Sequence, residues 1–113
     1  MFKEIQIGEN RVPMLCLAST NIYYNKVFGV DPIALQANNK LTPADGIDFA
    51  TKLAFIMAKQ AEFQSDRAAM LRLNEGDFID WLDGFEMDEL QTALEAAMEL
   101  YRGDGKVTSK AKK

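Results

Sequence analysis

A helical stripe in the middle of the chain constrains the fold more than any other feature. Seven positions are spaced alternately by four and three residues, the repeat of one face of an α-helix. They are Phe49, Leu53, Ile56, Gln60, Phe63, Arg67 and Met70, and five of the seven are apolar. Thr42 and Pro43 precede the stripe as a suitable N-cap and first helical residue. The pattern predicts one long amphipathic helix of about 28 residues, or about 40 Å at 1.5 Å per residue.

A helix of this length is long for the chain that contains it. The chain has 113 residues, which is enough for one domain. A compact domain of this size has a radius of gyration near about 13 Å and a diameter of about 27 Å. The helix therefore either bends or projects toward something outside the monomer. The second alternative predicts assembly with other copies or with a client protein.

A small β-hairpin is predicted before the helices. Residues 2–7 are half apolar and alternate between polar and apolar side chains from Glu4 to Ile7, and Gly8, Glu9 and Asn10 supply turn residues. The returning strand contains Pro13, which lacks an N–H group and restricts that strand to the edge of a sheet. We therefore expect a hairpin over residues 1–17.

Shorter helices are predicted on both sides of the long one. Ser19 or Thr20 can cap a helix that Gly29 ends, and Asp31 with Pro32 begins another. Asn74 can cap a helix that Gly84 breaks, and a last helix ends at Gly103. The sequence thus predicts a mainly α fold. It comprises one domain over residues 1–104, with the hairpin at 1–17 and helices at 18–104, and a flexible basic tail at 105–113.

The residue types present exclude several kinds of catalytic site. The chain has no histidine, which rules out a Ser-His-Asp triad, a Cys-His pair and histidine metal ligands. Its one cysteine, Cys16, cannot form an internal disulfide or a cysteine-rich zinc site. Cys16 lies in an apolar run, which favours a buried and unreactive thiol. We predict no catalytic, cofactor-binding or metal-binding residues and no enzymatic activity.

Charge is distributed unevenly along the chain. The net charge is −4, but residues 75–104 contain ten acidic residues and Arg102 as their one base. Four lysines follow in residues 105–113, where a solvated end is expected. An acidic body is unsuited to binding nucleic acid, which needs clustered Lys or Arg. The charged first ten residues do not resemble a signal peptide, and no run of about eighteen apolar residues predicts a membrane span. A cytoplasmic protein is expected.

An aromatic cluster is the main candidate for protein binding. Phe78, Trp81, Leu82 and Phe85 share one face of the helix after Asn74, and such a face either joins the core or docks a partner. The chain also has six methionines, which either fill gaps in the core or line an adaptable groove. Met57, Met70, Met87 and Met98 lie on predicted helices. The candidate partner-binding residues are Phe78, Trp81, Leu82, Phe85, Met57, Phe63 and Met70.

The segment EGDFIDWLDGFE and the ending LYRGDGKVTSKAKK resemble the short tail assembly chaperones of long-tailed phages that infect Gram-positive bacteria. The likeness covers nearly the whole chain. It implies a non-enzymatic, mostly helical and self-associating protein, forming rings or helical arrays. Such proteins bind the tape measure protein in the host cytoplasm and keep it soluble before the tail tube polymerises. They are absent from the mature virion.

The resemblance also implies a longer form of the protein made by ribosomal frameshifting, with which Lys112 and Lys113 are compatible. An alternative function is a structural head–tail or tail component that stays in the virion. A small enzyme or a nucleic-acid-binding regulator is a further alternative, supported only by the lysine-rich tail.

Overall fold

Two strands and six helices make up the part of the chain that the computed structural model describes, residues 1–37 and 42–103. The hairpin consists of β1 (Phe2–Ile7) and β2 (Asn10–Leu15). The helices are α1 (Thr20–Phe28), α2 (Pro32–Gln36), α3 (Pro43–Glu62), α4 (Arg67–Leu71), α5 (Glu75–Leu82) and α6 (Met87–Arg102). The predicted mainly α fold with an N-terminal hairpin is confirmed. The predicted basic tail, residues 105–113, lies outside the described residues.

The hairpin closes on a two-residue turn and packs one face onto the helices. Gly8 has φ +61° at the first turn position, where a type II′ turn takes glycine. Ile5, Ile7 and Met14 point to the same face and are at most 2 % exposed. That face contacts α3 through β2 and α6 through β1. The period-two alternation in the sequence thus identified the buried face.

Pro13 occupies a position in β2 that needs no ladder hydrogen bond. The Met1 amino group donates to the Cys16 carbonyl at 2.8 Å, and the Cys16 N–H donates back at 2.7 Å. Bonded and non-bonded pairs alternate along an antiparallel ladder, which makes the Glu4–Pro13 pair a non-bonded one. The N–H that Pro13 lacks would therefore face the outer edge of β2.

The prediction of one long helix is wrong for its last third, the residues after Glu62. α3 begins as expected, with a capping box between Thr42 and Asp45, but it ends at Glu62 after 20 residues. Gln64 and Ser65 follow with φ +53° and +57°, and they turn the chain into the separate helix α4. At 1.5 Å per residue α3 is about 30 Å long. This length does not exceed the dimensions of the molecule, which measures 42 × 33 × 30 Å.

Apolar stripe positions on both sides of this break pack into the same core, whereas Arg67 just after the break is exposed. The inner positions of the stripe in α3, from Phe49 to Gln60, are buried, and Met70 in α4 is 0 % exposed. Five consecutive residues, 53–57, are each at most 1 % exposed. α3 is therefore surrounded at its centre, with β2, α6 and α1 against its sides.

Candidate protein-binding surface

The predicted aromatic segment is positioned by α5 and the turn after it. α5 begins with a capping box in which Asn74 accepts from the Asp77 N–H at 3.1 Å and Asp77 accepts from the Asn74 N–H at 3.0 Å. Gly84 lies in the turn after α5, and α6 begins at Met87. The segment therefore crosses from the surface of α3 to the start of α6.

The aromatic rings of this segment join the core from one side. Phe78 makes edge contacts with Phe28 at 5.2 Å and with Phe55 at 5.4 Å between ring centroids. Trp81 packs on Phe55 at 5.8 Å and on Phe85 at 5.0 Å. All of the segment's rings are half-buried. Phe78 and Trp81 thus form the wall between the core and the surface that Phe85 reaches.

An open apolar cleft lies between α3 and α6 beside that wall. Its lining includes Ile47 from α3, Leu82 and Phe85 from the aromatic segment, and Met87 and Leu90 from α6. The cleft has a volume of about 300 Å³. Ile47 is 45 % exposed and Met87 is 75 % exposed, which is high for apolar side chains. This cleft is the first part of what we term the α3–α6 groove.

The groove continues along α6 toward its C-terminal end. Ile47 and Gln91 line both parts, and the second part has a volume of about 480 Å³. Its further lining includes Pro43, Ala50, Leu94, Glu95, Met98 and Arg102. The floor is thus mainly apolar from Phe85 to Met98, with Thr51 and Gln91 as polar members, and charged side chains enter only at the second part.

The surroundings of the groove are acidic. Residues 75–103 carry nine carboxylates, most of them exposed, and Arg102 is their only base. Glu86 and Asp88 lie on either side of Met87 and are exposed. At the start of α3, the Thr42 backbone N–H holds the pKa of Asp45 below its ordinary value, which keeps that carboxylate ionised. The groove therefore combines a mainly apolar floor with surroundings in which carboxylates outnumber bases.

The structure separates the predicted partner-binding residues into three groups. Leu82 and Phe85 line the groove, and Phe78 and Trp81 lie behind it. Met57 and Met70 are both 0 % exposed and are core residues, so this monomer offers no surface of either to a partner. Their burial corrects their assignment as contact residues. Phe63 caps the opposite end of α3, with the Lys59 ammonium 5.6 Å from its ring, and does not line the groove.

Sequence reasoning missed the part of the groove that α3 contributes. Ile47 lies off the apolar stripe, and its role depends on where α6 packs. For Met87 and Met98 the sequence predicts only that they lie on helices and either fill gaps in the core or line an adaptable groove. Spacing within a single helix does not distinguish them from Met57.

Within residues 1–37 and 42–103, no three His, Cys, Asp or Glu side chains are grouped closely enough to hold a metal ion. No helix in the same ranges is long and apolar enough to cross a membrane. Comparisons with protein-family models, with curated proteins and with solved structures gave no match.

Proposed function

We propose that this protein is a tail assembly chaperone of a long-tailed phage, and that it binds the tape measure protein and keeps it soluble before the tail tube polymerises. The observation that carries the proposal is the open, mainly apolar groove between α3 and α6, with the carboxylates of Glu86 and Glu95 beside it. A groove between two helices is a recurring way to bind an amphipathic helix through its apolar face. A long helical protein presents such faces along its length.

The proposal requires no catalytic chemistry. Its elements are an apolar contact surface for the client and an acidic exterior that keeps the complex soluble. Copies of the protein associate with one another and act together on one client, so that individually weak contacts add. The protein acts in the host cytoplasm and leaves before the virion is complete, and a longer frameshifted form takes part in the same assembly.

Co-expression with the tape measure protein tests this function. We expect the tape measure protein to remain in the soluble fraction in the presence of this chain and to sediment in its absence. A soluble protein of similar size and net charge serves as the control for a general effect of expression. Equal sedimentation with the chain and with the control would contradict the proposal.

Mass spectrometry of purified virions separates a chaperone from the structural alternative. A departing chaperone leaves no stoichiometric peptides in the particle. Peptides of this chain at the level of known tail proteins would instead identify a retained component.

A further inference from the structure

We infer that the α3–α6 groove receives an apolar helix that carries Lys or Arg residues at its flanks. The inference deepens the proposed function, because it names the surface and the chemistry of the client segment. The shape, the backbone and the charge of the groove each restrict what it can bind.

The walls of the groove favour a helix as its occupant. Both walls are helices, whose backbone N–H and C=O groups are bonded within each helix. An extended segment would find no unpaired strand edge there to bond its own backbone. A helix satisfies its own backbone and needs only an apolar stripe to match the floor. α6 has 16 residues, so the groove beside it accepts about 24 Å of bound helix.

Two methionines allow the groove to fit more than one apolar sequence. Met87 is 75 % exposed at one end, and Met98 lines the second part. Unbranched thioether side chains can repack around different partners. The rigid contacts come from Phe85, which is held by Trp81 at 5.0 Å, and from Ile47 on α3.

The charges around the groove select the flanks of the bound helix. Glu86 precedes Met87 and is exposed, and Glu95 lines the second part. On α3, Asp48 is exposed and pairs with Lys52 at 3.0 Å, and Arg102 is the base at the far end of the groove. Carboxylates thus outnumber bases along the rim. A helix with acidic flanks meets like charges there, whereas Lys or Arg flanks meet opposite ones.

Peptide binding tests the inference with the full chain. The probe is a tryptophan-free amphipathic helix of about 16 Leu, Ala and Gln residues, which matches the length of α6, with Lys at both ends. Its twin carries Glu at both ends. Trp81 is the only tryptophan of the chain and contacts Phe85, so its emission reports occupancy of the groove. Calorimetry gives the affinities independently.

We expect the Lys-flanked peptide to bind about tenfold or more tightly than the Glu-flanked twin. Ile47→Gln should weaken its binding by about tenfold, because it places an amide on the apolar floor. Ile22→Gln is the matched control, since Ile22 is also exposed on a helix, at 66 %, but lies outside the groove. This control should change the affinity less than about twofold, and circular dichroism should show both variants folded.

Three results would overturn the inference. The first is equal affinity for the two peptides, or an affinity that Ile47→Gln leaves unchanged. The second is a dimer in light scattering that both isoleucine substitutions dissociate, which would make a second copy the occupant, docked through Ile22 beside Lys26. The third is a shift of Trp81 emission, opposite to the one that the peptide causes, when Lys110, Lys112 and Lys113 are replaced by Gln in the full chain, which would make the chain's own ending the occupant.

Failure of the groove inference and failure of the proposed function give different experimental results. If Ile47→Gln still keeps the tape measure protein soluble, the groove is not the site while the chaperone function stands. If the peptides are discriminated but the tape measure protein sediments, the groove chemistry stands and the client is a different protein.

Discussion

Gln60 is a fully buried polar side chain whose amide is hydrogen-bonded on both sides. Its Oε1 accepts from the Thr20 hydroxyl, and its Nε2 donates to Ser19 Oγ at 3.2 Å and to Ser65 Oγ at 3.3 Å. These bonds join α3 to the start of α1 and to the turn after α3. A polar residue can therefore occupy a stripe of apolar ones because its partners arrive from two other parts of the chain.

Replacing Gln60 with Leu is expected to lower the free energy of unfolding by about 2–3 kcal/mol. The loss arises because the buried Thr20 hydroxyl loses its acceptor and the half-buried Ser19 and Ser65 hydroxyls lose their donor. Urea unfolding measures the change. Gln91→Leu is the control, since Gln91 is an exposed helical glutamine, and its effect should stay within about 0.5 kcal/mol. Similar losses in the two variants would show that the buried network contributes nothing specific.

Tyr24 gives the molecule a predictable response to alkaline pH. Its side chain is 1 % exposed, and burial raises the pKa of its phenol to about 12. The unfolded phenol ionises near its ordinary pKa of 10.0, so between these values the unfolded chain binds fewer protons and stability falls as pH rises. By pH 12 the loss is on the order of 2 kcal/mol.

Tyr24→Phe should flatten this alkaline loss in urea unfolding measured at several pH values from about 9 to 12, while keeping the ring contacts with Phe28 and Phe49. Part of the fall in stability with rising pH should persist in the variant, since burial also raises the pKa of Tyr101. An unchanged pH profile in the variant would refute the assignment to Tyr24.

At the scale of elements, helix ends were predictable where their chemistry is local. Thr42 and Asn74 each cap a helix through a capping box, and Gly29 and Gly103 end helices with φ +73° and +74°. Each of these signals involves residues within one turn of the helix end. The sequence therefore specified these boundaries without knowledge of the tertiary structure.

The end of α3 could not be predicted in the same way. The turn at 63–66 contains no glycine or proline, and Gln64 and Ser65 adopt left-handed conformations that such residues rarely take. The Ser65 N–H bonds to the Gln60 carbonyl at 2.8 Å, and the Gln60 side chain holds Ser65 as well as α1. The contacts to α1 are tertiary, and they are invisible to a pattern of periods and caps.

The sequence also predicts only part of the groove, because spacing identifies residues that share one helix face but not contacts between helices. Leu82 and Phe85 follow from helical spacing within one segment. Ile47 belongs to the groove only because α6 packs beside the first turns of α3. Met57 and Met87 are alike in sequence, and only the packing of α3 at the centre separates a core methionine from an exposed one.

A substitution of Gly46 tests the first turns of α3. No heavy atom lies within 4 Å of a Cβ added at Gly46, so Gly46→Ala should add helix propensity without a clash and stabilise by about 1 kcal/mol. At Gly76 in α5 the added Cβ would lie 3.0 Å from the capping oxygen of Asn74. Thermal unfolding should show a higher Tm for Gly46→Ala and a smaller gain or a loss for Gly76→Ala. Equal gains in Tm for the two variants would contradict the expected clash between a Cβ at residue 76 and the capping oxygen of Asn74.

At the scale of the whole molecule, Phe55 connects three helices through its ring. It is 0 % exposed on α3 and makes edge contacts with Phe28 of α1 and with Phe78 and Trp81 of α5. The aromatic layer thus ties the groove wall to the centre of the core.

Phe55→Ala is expected to cost about 3–5 kcal/mol, because it leaves a cavity that three elements would have to close. This is a large share of the roughly 5–15 kcal/mol by which domains are stable. Urea unfolding followed by circular dichroism measures the loss. Phe2→Ala is the control, since Phe2 is 61 % exposed, and it should cost less than about 1 kcal/mol. Comparable costs at the two positions would refute the central role of Phe55.

Pro13 also has a consequence for the protein in a crowded solution. A two-stranded sheet has two outer edges, and the outer edge of β2 lacks an N–H where Pro13 lies. A strand from another molecule can therefore find a complete row of donors only along β1. Pairing of another strand on the β2 edge would leave a hydrogen bond unmade at Pro13, so we expect this edge to disfavour the growth of a β-stack.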